Sequence, residues 1–182
     1  MQSTLRNTRF LVLALAITTA SQIHAGWEAG LTAGYRGDHQ LAFKEFKEGA
    51  EQGNARSQYE LAGVYLSGKG VKKDHSKALE WYLKAAEQGH TFSQHELGLM
   101  YLNGKVVEQD YSKAAEWFEK GAEQGYPFSQ NQLGILYLDG QGVAQDFFKS
   151  FDLFTKEAQF MGAARHNLGL MHYFGRWLDF DE

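Results

Sequence analysis

The chain has no cysteine and a single proline in 182 residues. Without cysteine there are no disulfides and no thiolate chemistry, so stability has to come from packing. One proline leaves little to interrupt helices. Basic charge is also short. Arg6 and Arg9 are the only charged residues among the first 25, so residues 26–182 hold 16 basic against 22 acidic groups, a formal charge of −6 with His neutral. Nucleic-acid binding needs a basic footprint, and this balance argues against it. Long apolar runs are missing too. FLVLALAI, 10–17, has eight residues, far short of the roughly 20 that a lone helix needs to span a bilayer.

That short run sits in a recognisable setting. The positive start MQSTLRNTRF precedes it, and TTASQIHA follows it to a small residue at Ala25. This is the pattern of a secretory signal peptide over 1–25, with Ala25 the expected cleavage point and Ala20 the second choice. An N-terminal membrane anchor is the alternative. A lipoprotein anchor would have no cysteine to attach to. The expected location is therefore exported, periplasmic or secreted, with no transmembrane segment after cleavage.

GVYLSGKG, 63–70, looks at first like a phosphate-binding loop. Such a loop joins a strand to a helix and places Ser or Thr after the Lys. Here Gly70 follows Lys69, and the preceding ELAGVYL is part of a helical pattern. The stretch also recurs 36 residues on as LMYLNGKV at 99–106, 36 further as ILYLDGQG at 135–142, and 35 further as LMHYFGRW at 170–177. The same step of 36 links GAEQG (49–53), AAEQG (85–89) and GAEQG (121–125), and also Asp38, Asp74, Asp110 and Asp146. A fixed period over this much chain means stacked repeats. Nucleotide binding is set aside.

Each repeat reads as two helices. In the first, Ser57, Leu61, Val64 and Tyr65 fall on one face of a 3.6-residue period, as do Ser93, Leu97, Met100, Tyr101 and Ser129, Leu133, Leu136, Tyr137. Gly68, Gly104, Gly140 and Gly175 end this helix. The periodic Asp caps the second, accepting from an unpaired N–H of the first turn. The second helix turns Ala78, Trp81, Tyr82 and Ala85 toward its neighbours. Its wet face repeats Glu80–Lys84, Glu116–Lys120 and Asp152–Lys156 at i, i+4. Ala62, Gly98, Gly134 and Gly169 follow the first-helix Leu. A helical Gly costs about 1 kcal/mol against Ala, so the spacing predicts a second-helix aromatic seated against it.

These motifs resemble the Sel-one-like repeat (SLR), a relative of the tetratricopeptide repeat. The resemblance runs through LAGVYLSGKGVKKDHSKALEWYLKAAEQG at 61–89 and LGLMYLNGKVVEQDYSKAAEWFEKGAEQG at 97–125. It is looser in LGILYLDGQGVAQDFFKSFDLFTKEAQ from 133. YRGDHQLAFKEFKEGAEQG (35–53) matches a second half with the short link of a tetratricopeptide unit, and AARHNLGLMHYFG (163–175) a first half. Departures are Val106 for a loop Gly, Leu153 for the Trp, the lost AEQG exit at 158–161, and His172 for the usual Tyr. The resemblance implies an all-α, right-handed α-solenoid of about four and a half repeats over 26–175, whose first helices line a concave surface. It implies a protein-binding scaffold and not an enzyme. Family members include exported bacterial proteins of envelope assembly, motility or host contact. A cysteine-rich subgroup is linked to penicillin binding.

Catalytic signatures are missing. The chain has no S-x-x-K and no G-x-S-x-G. His95-Glu96 opens a zinc motif, but Leu99 stands where the second His belongs. His39, His75, His90, His166 and His172 are scattered. No cofactor, metal or nucleic-acid partner is expected. The partner is expected to be another protein. Opposite the core face, the first helices carry Tyr59, Gly63, Leu66; His95, Leu99, Leu102; Asn131, Ile135, Leu138; and His166, Leu170, Tyr173. This stripe is a candidate groove for a partner peptide or helix. The alternative is packing between adjacent first helices. The row Tyr59, His95, Asn131, His166 is expected to be the more exposed. The tail 176–182 (RWLDFDE) offers Trp177, Leu178 and Phe180 either as a cap or as a docking patch. A periplasmic or secreted adaptor is the expected function. A peptidoglycan- or β-lactam-interacting protein, and a secreted factor binding a host protein, are the alternatives.

Overall fold

The structure is a computed structural model and describes residues 26–158 and 169. Its regular structure there is helical throughout. Helix α1 covers 26–35. It is followed by α2 (His39–Glu51), α3 (Ala55–Ser67), α4 (His75–Glu87), α5 (Thr91–Asn103), α6 (Tyr111–Glu123), α7 (Pro127–Asp139) and α8 (Phe147–Ala158). The odd-numbered helices are the first helices of the repeat and the even-numbered ones the second. Residues 1–25, 159–168 and 170–182 lie outside the described residues. They hold the expected signal peptide, His166, Leu170, Tyr173, Gly175 and the tail.

Sequence dictates the helix ends. Asp38, Asp74 and Asp110 each accept from the backbone N–H three residues on, at 3.1, 3.0 and 3.0 Å. Asp146 does the same to Lys149 at 2.9 Å. Each cap satisfies a donor that the helix itself leaves open. The first helices are capped differently. Asn54 accepts from Ser57 N–H at 2.8 Å, His90 Nδ1 from Ser93 N–H at 3.4 Å, and α7 instead begins with Pro127. Gly68, Gly104 and Gly140 close α3, α5 and α7 with φ of 73°, 65° and 68°, the left-handed conformation that favours Gly. The amides of Asp74, Asp110 and Asp146 then donate to the carbonyls of Tyr65, Tyr101 and Tyr137 at 3.0, 2.9 and 2.9 Å. That bond fixes the loop length in every copy.

The loops carry one further constraint. A Cβ on Gly70 would overlap the His39 carbonyl, and one on Gly142 the Tyr111 carbonyl. Each loop thus lies on the start of the preceding second helix. Val106 holds the same register position. Among the described residues no non-glycine has positive φ, so the backbone at Val106 differs from that at Gly70 and Gly142, as its sequence departure predicted.

The described residues fall into two compact units that divide between Gln88 and Gly89. In the first, Ala33, Ala42, Phe46, Ala50, Leu61, Tyr65 and Ala78 form the core. In the second, Ala114, Ala115, Phe118, Leu133 and Leu136 do. Helical glycines let aromatic rings approach. Phe118 lies against Gly98, Phe154 against Gly134, and Phe46 against Gly30, as expected for the first two. Val64, Tyr101, Tyr137 and Trp81 are half-buried rather than fully inside. Of the wet-face pairs, Glu80–Lys84 (2.6 Å) and Asp152–Lys156 (2.5 Å) form. Glu116–Lys120 does not. Lys120 Nζ sits over the Trp117 ring at 3.9 Å, as Lys84 Nζ does over Trp81 at 4.1 Å while keeping its ion pair.

Candidate functional site

The first-helix stripe is part exposed and part packed. Tyr59, His95 and Asn131 are all half-buried. The Tyr59 ring meets Tyr82 at 5.6 Å. Leu66 packs against the core of the first unit, and Leu99 and Leu102 against that of the second. Ile135 and Leu138 are half-buried and lie outside the core around Phe118.

His95 is the most constrained of the row. Its Nδ1 is hydrogen-bonded to Ser129 Oγ at 3.1 Å, which ties α5 to α7. Its ring meets Tyr126 at 5.1 Å, Phe118 at 5.5 Å and Phe128 at 6.1 Å. Burial among these rings disfavours the imidazolium and lowers the pKa to about 4. This histidine is a neutral packing residue at neutral pH. Its neighbour Glu96 is half-buried, and burial raises its pKa. Burial likewise raises Tyr126, with a further push from the charge of Glu96.

Glu60 occupies the same register one repeat earlier. It is half-buried, and burial raises its pKa. No hydrogen bond or ion pair reaches its carboxylate among the described residues. It lines a recess of about 210 Å³ in the first unit, where Gly34 of α1, Ala42 and Phe46 of α2, and Gly63 and Val64 of α3 converge. No group of three or more metal-ligating side chains occurs among the described residues, and no described helix is long and apolar enough to cross a membrane.

One feature escaped the sequence reading. Gln88 Nε2 donates to Gln58 Oε1, and Gln124 Nε2 to Gln94 Oε1, both at 2.7 Å. Gln58 in turn donates to Ala50 O at 3.2 Å, and Gln130 to Ala122 O at 3.3 Å. Gln58, Gln94 and Gln130 are buried. The ladder adds a second bond to carbonyls near second-helix ends that already accept a backbone N–H, Ala50 O from Gly53 and Ala122 O from Gly125, and it gives the buried glutamine amides their partners. Its signal was in view, since SQ recurs at 57, 93 and 129 at the same step as EQG.

The Sel1 repeat family model matches 19–54, 55–90, 91–126, 127–158 and 162–179. The first match begins inside the expected signal peptide and the last ends inside the tail. No curated protein matches. Among solved structures, a protective antigen of uropathogenic Escherichia coli strains with an SLR fold is 37% identical, TM-score 0.71, covering 73% of this chain and 29% of that one. A Sel1 repeat protein from Oxalobacter formigenes is 28% identical, TM-score 0.75, covering 79% and 60%. Cysteine-rich protein B of Helicobacter pylori is 23% identical, TM-score 0.54, covering 69% and 96%, and shares the fold. The chain thus spans less than two thirds of the first two. With two-helix repeats through its described residues and family matches along most of its length, the chain belongs to the Sel1 repeat family, as an all-α helical repeat solenoid.

Proposed function

We propose that this protein is an exported, non-catalytic adaptor of the bacterial envelope, which takes a peptide or helix from a partner protein on the face of its first helices. Sel1 repeat proteins are generally protein–protein interaction scaffolds, and that is the coarse function family membership gives. The observation behind the finer reading is how the repeat uses its residues. The periodic Asp, Gly, Ser, Gln and aromatic positions are engaged in caps, turns and packing. What remains for function is surface, and on the first helices that surface includes the half-buried apolar Ile135 and Leu138. The positive, apolar, small-residue pattern of 1–25 supports export.

The test is a crosslinking pulldown from native cell envelope with residues 26–182, alongside Ile135→Glu and Leu138→Glu variants whose melting is unchanged. A protein captured by the wild type and lost by the variants supports the groove. Equal capture moves the site to the second helices or the tail 176–182. Retention of cell-wall fragments or a labelled β-lactam, with no protein, replaces the adaptor with the cell-wall reading.

A further inference from the structure

The recess beside Glu60 has two features that the fold itself does not require. The first is Gly63, in the middle of α3. A mid-helix Gly costs about 1 kcal/mol against Ala. At Gly98 and Gly134 an aromatic ring explains it. At Gly63 the nearest atom to an added Cβ is Tyr82 Oη, at 3.8 Å, an ordinary contact. The register mates of Gly63 are Leu99 and Ile135, so the missing side chain leaves open a space that later repeats fill. The second is Glu60, whose half-buried carboxylate has no cation within ion-pair distance among the described residues. A half-buried charge without a partner loses hydration and gains nothing in return. His39 and Lys69 also line the recess, and neither pairs with it.

We propose that this recess receives the side chain of a lysine or arginine from the partner protein, the methylene stem lying on Ala42, Phe46 and Val64 and the charged head meeting the Glu60 carboxylate. The stem-and-head division is how long basic side chains use a mixed surface. The protein's net negative charge favours such a partner. In the second unit Glu96 repeats the carboxylate, half-buried and with no ion pair among the described residues, but Leu99 stands where Gly63 leaves the space open. The inference rests on the adaptor reading for its partner, but the recess can be tested alone.

The probe is acetyl-Gly-Arg-Gly-amide, titrated into the full chain at physiological salt and followed by backbone amide NMR shifts. The expected shifts centre on Gly63, Val64 and Ser67. Binding weakens about tenfold in Glu60→Gln, the scale of one charge-assisted hydrogen bond. It weakens similarly in Gly63→Leu, which fills the space. Glu87→Gln, which removes the same charge from an exposed site on α4, leaves it unchanged. Shifts spread over the surface with equal loss in both Glu variants overturn the proposal, as does no localised shift at millimolar peptide. A partner captured from the envelope without peptide binding here sinks the recess and keeps the adaptor. Peptide binding here with no captured partner does the reverse.

Discussion

Two glycines one register position apart should respond to alanine in opposite directions. Gly98 lies in α5 and Gly63 in α3, so alanine relieves the same helix penalty at each, about 1 kcal/mol. At Gly98 the new methyl would overlap the Phe118 ring, with Cζ only 2.8 Å away. Phe118 is fully buried, at 0% exposure, and cannot swing out to solvent. Overpacking of this kind costs about 1–3 kcal/mol, and a fully enclosed ring belongs at the upper end. The net for Gly98→Ala is a loss of about 1–2 kcal/mol, and for Gly63→Ala a gain of up to about 1 kcal/mol. For a chain of this length that means Tm falling by about 3–6 °C in the first and rising by about 2–4 °C in the second. Circular dichroism melts at the helical band read both. If both variants raise Tm alike, the ring is not seated against the helix backbone and the packing argument fails. A Phe118→Leu background sharpens the test. There Gly98→Ala should lose most of its penalty, a coupling expected only of residues in contact.

The remaining predictions concern the buried polar groups. Gln58→Ala removes one bond from the Ala50 carbonyl, which keeps the Gly53 N–H, and one from the exposed Gln88 amide, so stability should drop by about 0.5–1.5 kcal/mol in urea titrations; no change would show the ladder to be passive. His95, with a folded pKa of about 4, lies below its unfolded value near 6.5. Its contribution is therefore fully present above about pH 6.5 and is lost as pH falls toward 4, where only the unfolded state gains the proton. With allowance for solvent near a half-buried ring, the loss should be about 1–2 kcal/mol. It should appear as an acid slope in Tm that His95→Gln lacks, and an NMR midpoint for His95 near 6.5 would overturn it.

The element plan was legible because each helix end is a local event. A carboxylate three residues from its donor and a Gly with positive φ need no distant partner, so Asp74 and Gly68 declared themselves in one copy and the period confirmed them. Gly98 was readable for a related reason: a costly residue repeated at fixed spacing must answer to a neighbour. The candidate site was less legible. Periodicity found the row containing His95 but gave it the wrong environment. Its surroundings come from Ser129 and Phe128, more than 30 residues on, and a helical wheel contains no next repeat. The glutamine ladder was missed because Gln reads as polar surface until two copies are seen to meet.

The repeat could be read from the chain alone: its length, its two helices, their caps and turns, and the family. Each depends on contacts within a few residues or on a period that can be counted. The fate of each outward-facing polar side chain was set by packing in three dimensions. Glu60 and His95 look alike on paper, being polar residues on the same helix of adjacent repeats. Packing turned His95 into a neutral ring among aromatics and left Glu60 beside an open recess. The difference is set by desolvation, a property of everything within a few ångströms and not of the residue or its spacing.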